Sequence, residues 1–152
     1  MKVHIGTDHA GFQMKEMLKP YLTDLGYEVI DHGAFEYKEG DDYPDFVKPV
    51  AEAVSNGRSP ESLEGPMGII LGASGQGEDM VADKIEHIRS AEYYGGNVEI
   101  IKLAREHNDA NILSLGARFL SDDEAKQAVK LFLETLFSGD ERHVRRIEKL
   151  EK

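Results

Sequence analysis

The sequence predicts an α/β fold: three layers built on a five-stranded parallel sheet, with a charged helix at the C-terminal end. Two observations predict it. Five short apolar runs alternate with longer stretches whose apolar residues recur at helical spacing. A strand followed by a helix, five times over, is the pattern of a parallel sheet covered on both faces. The residues that suggest chemistry also fall mostly just after the apolar runs, and such sheets bind ligands beyond the carboxyl ends of their strands.

The elements follow in order. "KVHIG" reads as a first strand, and "AGFQMKEMLKPYLTDLG" as a helix carrying Phe12, Lys15, Met17, Leu18, Tyr21, Leu22 and Leu25 at helical spacing. Pro20 inside that pattern predicts a kink, and Gly26 ends it. "YEVID" is the second strand. "HGAFEYKEGDDYP" is loop, and Pro44 suits the start of a helix through "DFVKPVAEAVSNG", which Pro49 weakens. The turn-rich "GRSPESLEG" leads into the third strand, "PMGIIL", then a glycine loop and a helix through about Lys84. "IRSAEY" is a fourth strand and "NVEIIKLAREHN" a helix. "NILSLG" is a fifth strand. "SDDEAKQAVKLFLETLF" is a helix capped by Ser121 with acids in its first turn. A last charged helix spans about 140–152.

At 152 residues the chain suits one domain over 1–152, able to bury a core without metal or disulfide staples. There is no cysteine, which excludes a disulfide framework. No apolar run approaches the roughly 20 residues that span a bilayer. "MKVHIGTDHAG" lacks the apolar stretch of a signal peptide, so a cytoplasmic address is the default. The net charge of −11 argues against nucleic acid and anionic membranes as partners. An anionic substrate would need positive groups gathered locally. "ERHVRRIEK" gathers them: Arg142, His143, Arg145, Arg146 and Lys149 fall within eight positions.

The glycine loop "ILGASGQGEDM" is not a Walker A motif, because Gly77 is followed by Glu78 and Asp79 rather than Lys and Ser or Thr. Nor is it a dinucleotide fingerprint, lacking the third glycine and following the third strand. What remains is a run of small residues, Ser74, Gly75, Gln76 and Gly77, whose backbone N–H groups can converge ahead of a helix N-terminus. The two acids behind it would repel a phosphate. An enediolate is different, because a carboxylate that has taken a carbon-bound proton is neutral, and the N–H groups then face the charge just created. Position alone also allows Glu78 and Asp79 simply to complement the helix dipole.

"TDHAG" offers Asp8 and His9 at a strand end, where Asp8 could equally cap the helix. Asp42 and Tyr43 lie in the loop after the second strand. "REHNDAN" clusters His107 and Asn108 at a helix end ahead of the fifth strand, and Arg118 follows that strand. A C-capping Asn and a dipole-favoured His would explain the cluster without function. Glu141–Arg145 pairing on a solvated helix face would likewise explain the arginines. His4, His32 and His87 are scattered and carry no assigned role. No convincing metal spacing is found, and no metal is proposed.

Taken together, "GTDHAGFQMKE", "DYPDF", "GASGQGE", "LAREHNDANILSLGARF" and "RHVRRIE" resemble the ribose-5-phosphate isomerase B family, which also contains galactose-6-phosphate isomerase subunits. The resemblance covers nearly the whole chain in order. It implies a Rossmann-like sheet, a homodimer or dimer of dimers, and cofactor-free aldose–ketose isomerisation of a phosphorylated sugar through a cis-enediol. Many members carry a catalytic Cys where this chain has Gly72. "SGQGE" is similar to a second branch that lacks the Cys and uses a Glu, here Glu78.

By that resemblance Glu78 shuttles the proton between C2 and C1, Ser74 assists, and the N–H groups of Ser74 to Gly77 hold the enediolate. His107 or His9 assists ring opening. Asp8, Asn108, Asp42 and Tyr43 orient sugar hydroxyls, and Arg118, Arg142 and Arg146 clamp the phosphate. His107 and Asn108 reach the site from the neighbouring subunit. Three other readings stay open: an isomerase of a six-carbon or four-carbon sugar phosphate, a non-catalytic sugar-phosphate sensor, and a nucleotide-binding flavodoxin-like module. Retention of Glu78 with Ser74 disfavours the second, and the failed dinucleotide pattern the third.

Overall fold

The structure, a computed structural model, describes residues 1–58 and 65–152. Strands β1 (Lys2–Thr7), β2 (Glu28–Asp31), β3 (Met67–Gly72), β4 (Ser90–Tyr93) and β5 (Ile112–Gly116) form one sheet in the order β2-β1-β3-β5-β4. Every pairing is parallel. Positions 59–64 of the connection into β3 lie outside the described residues.

The helices are α1 (Phe12–Asp24), α2 (Pro44–Asn56), α3 (Gln76–Ala82), α4 (Glu99–Asn108), α5 (Asp122–Glu134) and α6 (Glu141–Leu150). Alternation along β3 divides the core. Ile69 and Leu71 join Leu18, Leu22, Val129 and Phe132 on one face of the sheet, while Ile70 joins Val47, Val50, Val54 and Ala82 on the other. The predicted three layers are therefore present. Helix α2 sits very close to the sheet at Gly6, where a β-carbon would come within 2.8 Å of both the Phe46 carbonyl oxygen and Val50.

Helix α1 runs on through Pro20, and α2 through Pro49. Gly26 adopts φ +90° just beyond α1, and the N–H of Tyr27 reaches back to the Leu22 carbonyl, the hydrogen bond of a Schellman end. Lys15 belongs to the buried stripe as its spacing implied. It is fully buried, and its ammonium is met by Asp31 at 2.6 Å and Glu16 at 2.7 Å. Ser121 caps α5 with a reciprocal capping box to Glu124.

One boundary needs correction. The helix expected through Phe137 stops at Glu134, because Thr135 turns extended (φ −82°, ψ 122°) with its hydroxyl bonded to the Leu131 carbonyl. Leu136, which would have continued the apolar pattern, is exposed.

Candidate active site

The registers Thr7↔Leu71 and Gly72↔Gly116 bring the carboxyl ends of β1, β3 and β5 level. The order in which strands are added across the sheet reverses between β1 and β3, since β1 leads outward to β2 while β3 leads towards β5 and β4. A crevice opens at such a switch point. Asp8 and His9 leave β1 on one side of it, and the glycine loop leaves β3 on the other.

The loop is held from beneath. Ser114 Oγ donates to the Gly75 carbonyl at 2.6 Å, and the N–H groups of Ala117 and Arg118 bond to the carbonyls of Gly72 and Ala73. Gly75 takes φ +84°, a left-handed conformation that suits glycine, and starts α3. Ser74 Oγ accepts the N–H of Gln76 at 3.3 Å. Among the described residues no carbonyl accepts the N–H of Ser74 or Gly75. The hydroxyl end of Tyr43 closes over Gly77, where a β-carbon would come within 2.7 Å of it.

Glu78 sits in the first turn of α3 and is 4% exposed. Burial pushes its carboxyl above the ordinary glutamate value, and the charges of Asp8 and Glu92 act in the same direction. The backbone N–H of Glu78 itself opposes them. A carboxylate that served only the helix dipole would gain by staying in water. This one is desolvated, beside a second acid, and ready to accept a proton.

Asp8 is buried, and its Oδ1 accepts the N–H of Ala10 at 2.9 Å in the turn before α1; the N-cap of that helix is Gly11. His9 is bound by Asp41, whose Oδ1 lies 2.9 Å from its backbone nitrogen and 2.8 Å from its ring Nδ1. Asp41 carries no sequence signal that sets it apart from Asp42, the residue the family resemblance assigns to the sugar hydroxyls. Asp42 is exposed and lines a cleft of ≈ 510 Å³ with Glu36, Lys38, Asp41 and Asp45. Four acids against one lysine make that cleft the wrong sign for a phosphate. Asp8, His9 and Asp41 present three possible metal-ligand atoms within 4.8 Å, but His9 Nδ1 is engaged in the hydrogen bond to Asp41. Arg118 is exposed at the same carboxyl edge.

The remaining predicted residues stand elsewhere. His107 and Asn108 end α4 and precede β5, so they lie towards the amino ends of the strands. Asp109, rather than Asn108, takes the left-handed conformation beyond α4, with φ +45°. Its buried carboxylate is bound by Arg58, Arg89 and Arg105 at 2.8–2.9 Å. Helix α6 packs on α4, with the buried His143 ring 4.3 Å from that of His107. Arg142 and Arg146 are exposed on that helix, and Arg142 Nε lies 3.5 Å from Asp140. One chain thus gathers Asp8, His9, Tyr43, Ser74 to Glu78 and Arg118 at one edge of the sheet, and His107, Asn108, Arg142 and Arg146 towards the other. Among the histidines given no role, His4 and His32 form a hydrogen-bonded pair at 2.8 Å.

Comparison with known proteins gives this geometry its context. Residues 3–150 match the family model described as Ribose/Galactose Isomerase. A ribose-5-phosphate isomerase B of Mycolicibacterium paratuberculosis is 41% identical over 148 residues, covering 97% of this chain and 88% of that one. The solved ribose-5-phosphate isomerase B of Clostridium thermocellum superposes with a TM-score of 0.88 at 40% identity, over 99% of this chain and 95% of the other. That of Mycoplasma genitalium, solved with bound ribulose 5-phosphate, gives 0.90 at 33% identity, over 99% and 93%. The chain belongs to the ribose/galactose isomerase family and is an aldose–ketose isomerase.

Proposed function

We propose that the protein interconverts ribose 5-phosphate and ribulose 5-phosphate through a cis-enediolate, with Glu78 as the base. The observation that carries this reading is the buried, proton-seeking carboxylate of Glu78 beside the glycine loop. The carboxylate removes the proton from C2 and returns it to C1. The N–H groups of Ser74 to Gly77 meet the charge that develops on the oxygen, where fixed donors act most strongly. Ser74 assists proton transfer between the oxygens. Asp8 and Tyr43 orient sugar hydroxyls, and His9 or His107 opens the sugar ring.

The separation of residues within one chain supports a homodimer, or a dimer of dimers, with composite sites. His107 and Asn108 would enter from the second subunit, and Arg118, Arg142 and Arg146 would complete a phosphate grip. The names and the bound product of the relatives favour a five-carbon substrate over six-carbon or four-carbon sugar phosphates.

Conversion of ribose 5-phosphate to ribulose 5-phosphate, run beside hexose and tetrose phosphates, tests the substrate. Mixing tests the composite site. Glu78→Gln and His107→Asn homodimers should each be nearly inactive, whereas subunit exchange should restore about a quarter of normal activity. Half of the exchanged dimers are mixed, and each mixed dimer holds one intact site. No recovery after verified exchange would mean that Glu78 and His107 act from the same chain, and the composite site would fall.

A further inference from the structure

Asp41 binds His9 twice through one oxygen. Its Oδ1 accepts the backbone N–H of His9 at 2.9 Å and lies 2.8 Å from the ring Nδ1. The Asp41 side chain is only 8% exposed, and its Oδ2 is buried with no donor among the described residues. Asp8 Oδ2, at 3.7 Å from the same Nδ1, is too far to compete. The Tyr37 ring meets the imidazole edge-on, with centroids 6.2 Å apart. Among the described residues the carboxylate of Asp41 therefore serves His9 alone.

We propose that Asp41 is a positioning residue that holds the imidazole proton of His9 on Nδ1 and leaves Nε2 as the nitrogen that meets the substrate. This rests on His9 being a residue of the isomerase site. A carboxylate oxygen can only accept, so Nδ1 must carry the hydrogen that joins the pair. In the neutral ring the lone pair then belongs to Nε2. Two donors from one residue converging on one oxygen fix both the backbone and the ring of His9. A charge-assisted bond in a buried setting also holds more firmly than one in water.

The competing explanation is that Asp41 merely fastens its loop to the turn after β1. Asp41→Asn separates the two. The amide oxygen can still take the backbone N–H, while its NH₂ can donate to Nδ1 and admit the other tautomer. The measurement is ¹⁵N NMR of histidine-labelled protein, with the His9 signals assigned from a His9→Gln variant, alongside steady-state kinetics on ribose 5-phosphate. The wild type should show Nδ1 protonated and Nε2 bare. Asp41→Asn should populate the other tautomer and lower kcat by about 10–100-fold with a much smaller change in KM, the scale on which losing an orienting carboxylate is felt. Asp41→Glu should recover part of both.

A His9 with its proton on Nε2 in the wild type would overturn the proposal. So would an Asn variant with an unchanged tautomer, or one with a changed tautomer and full kcat. A wild-type protein inactive on ribose 5-phosphate would sink the functional reading instead, and the tautomer, read without substrate, would still decide this one.

Discussion

The carboxylate of Glu78 lies against the bare α-carbon of Gly72, so that a β-carbon at position 72 would overlap both carboxylate oxygens and the carboxyl carbon. Glycine at the end of β3 and glutamate in the first turn of α3 are thus one steric unit. A thiol at 72 and a carboxylate at 78 compete for the same space. Gly72→Cys alone should displace Glu78 and cost about 10²-fold in kcat/KM, the order expected for a misplacement of about 1 Å. Adding Glu78→Gln should not help, because the glutamine fills the same room. Gly72→Cys with Glu78→Ala clears it, and should turn over ribose 5-phosphate faster than Glu78→Ala alone. If that double variant is no better, a thiol there cannot do the work of the carboxylate.

Burial raises the Glu78 carboxyl above its unfolded value, which fixes the sign of two pH effects. As the base, Glu78 must be ionised, so kcat/KM should fall on the acid side at a pH above the ordinary glutamate range. Glu78→Gln should lower turnover by about 10²–10⁴-fold at neutral pH, the usual scale for a general base.

Stability moves the other way. A carboxyl with a raised folded value stabilises the fold fully below its unfolded value, and that contribution is lost as pH rises through the folded value. Gln resembles the protonated acid, so Glu78→Gln should melt above the wild type at pH 7–8. The difference should vanish below the ordinary glutamate range. Melting curves across pH that show a constant or reversed difference would mean that Glu78 is not held desolvated.

Asp109 and its three arginines predict an effect on stability. Removing one partner of a buried ion pair typically costs about 3–5 kcal/mol, because the opposite charge stays buried and unmet. Asp109→Ala should lose stability on that scale and also strain its positive φ. Asp109→Asn, which tolerates the left-handed conformation, should report the charge alone. Urea unfolding of Asp109→Ala, Arg105→Met and the double variant forms a cycle in which the losses should not add. Additive losses would show that the network is not coupled.

The alternation of strand and helix was legible because each apolar run is short and each amphipathic stretch carries its own spacing. Strand order was not, since no local pattern says that β5 enters between β3 and β4. Burial does distinguish them: β3 and β5 are buried throughout, whereas β2 and most of β4 are half-exposed edges. The glycine loop, Asp8 and His9 could be read because each follows its strand directly. Asp41 could not, because its contact with His9 spans 32 residues and nothing local separates it from Asp42. The end of α5 was overrun because "TLF" stays apolar after the backbone has already turned extended.

Arg142 and Arg146 carry the last prediction. They stand exposed on α6, on the helix whose buried His143 packs against His107. In a chain of net charge −11 they belong to the densest basic cluster. A guanidinium meets a phosphate with two parallel N–H donors, a fork that Lys cannot reproduce. The phosphate does not react, so its grip should be similar in ground and transition states, and losing it should raise KM more than it lowers kcat. A hydrogen bond to a charged group contributes about 1.5–3 kcal/mol, so Arg146→Ala should weaken kcat/KM for ribose 5-phosphate by roughly 10–150-fold. Some loss of kcat should accompany it, because remote binding energy helps to seat the sugar over Glu78. Free ribose separates the possibilities, since it has no phosphate for Arg146 to hold. Arg146→Ala should leave any weak turnover of ribose unchanged while damaging that of ribose 5-phosphate. Equal damage to both substrates, with the assembly state unchanged by light scattering, would return the cluster to a solvated helix face.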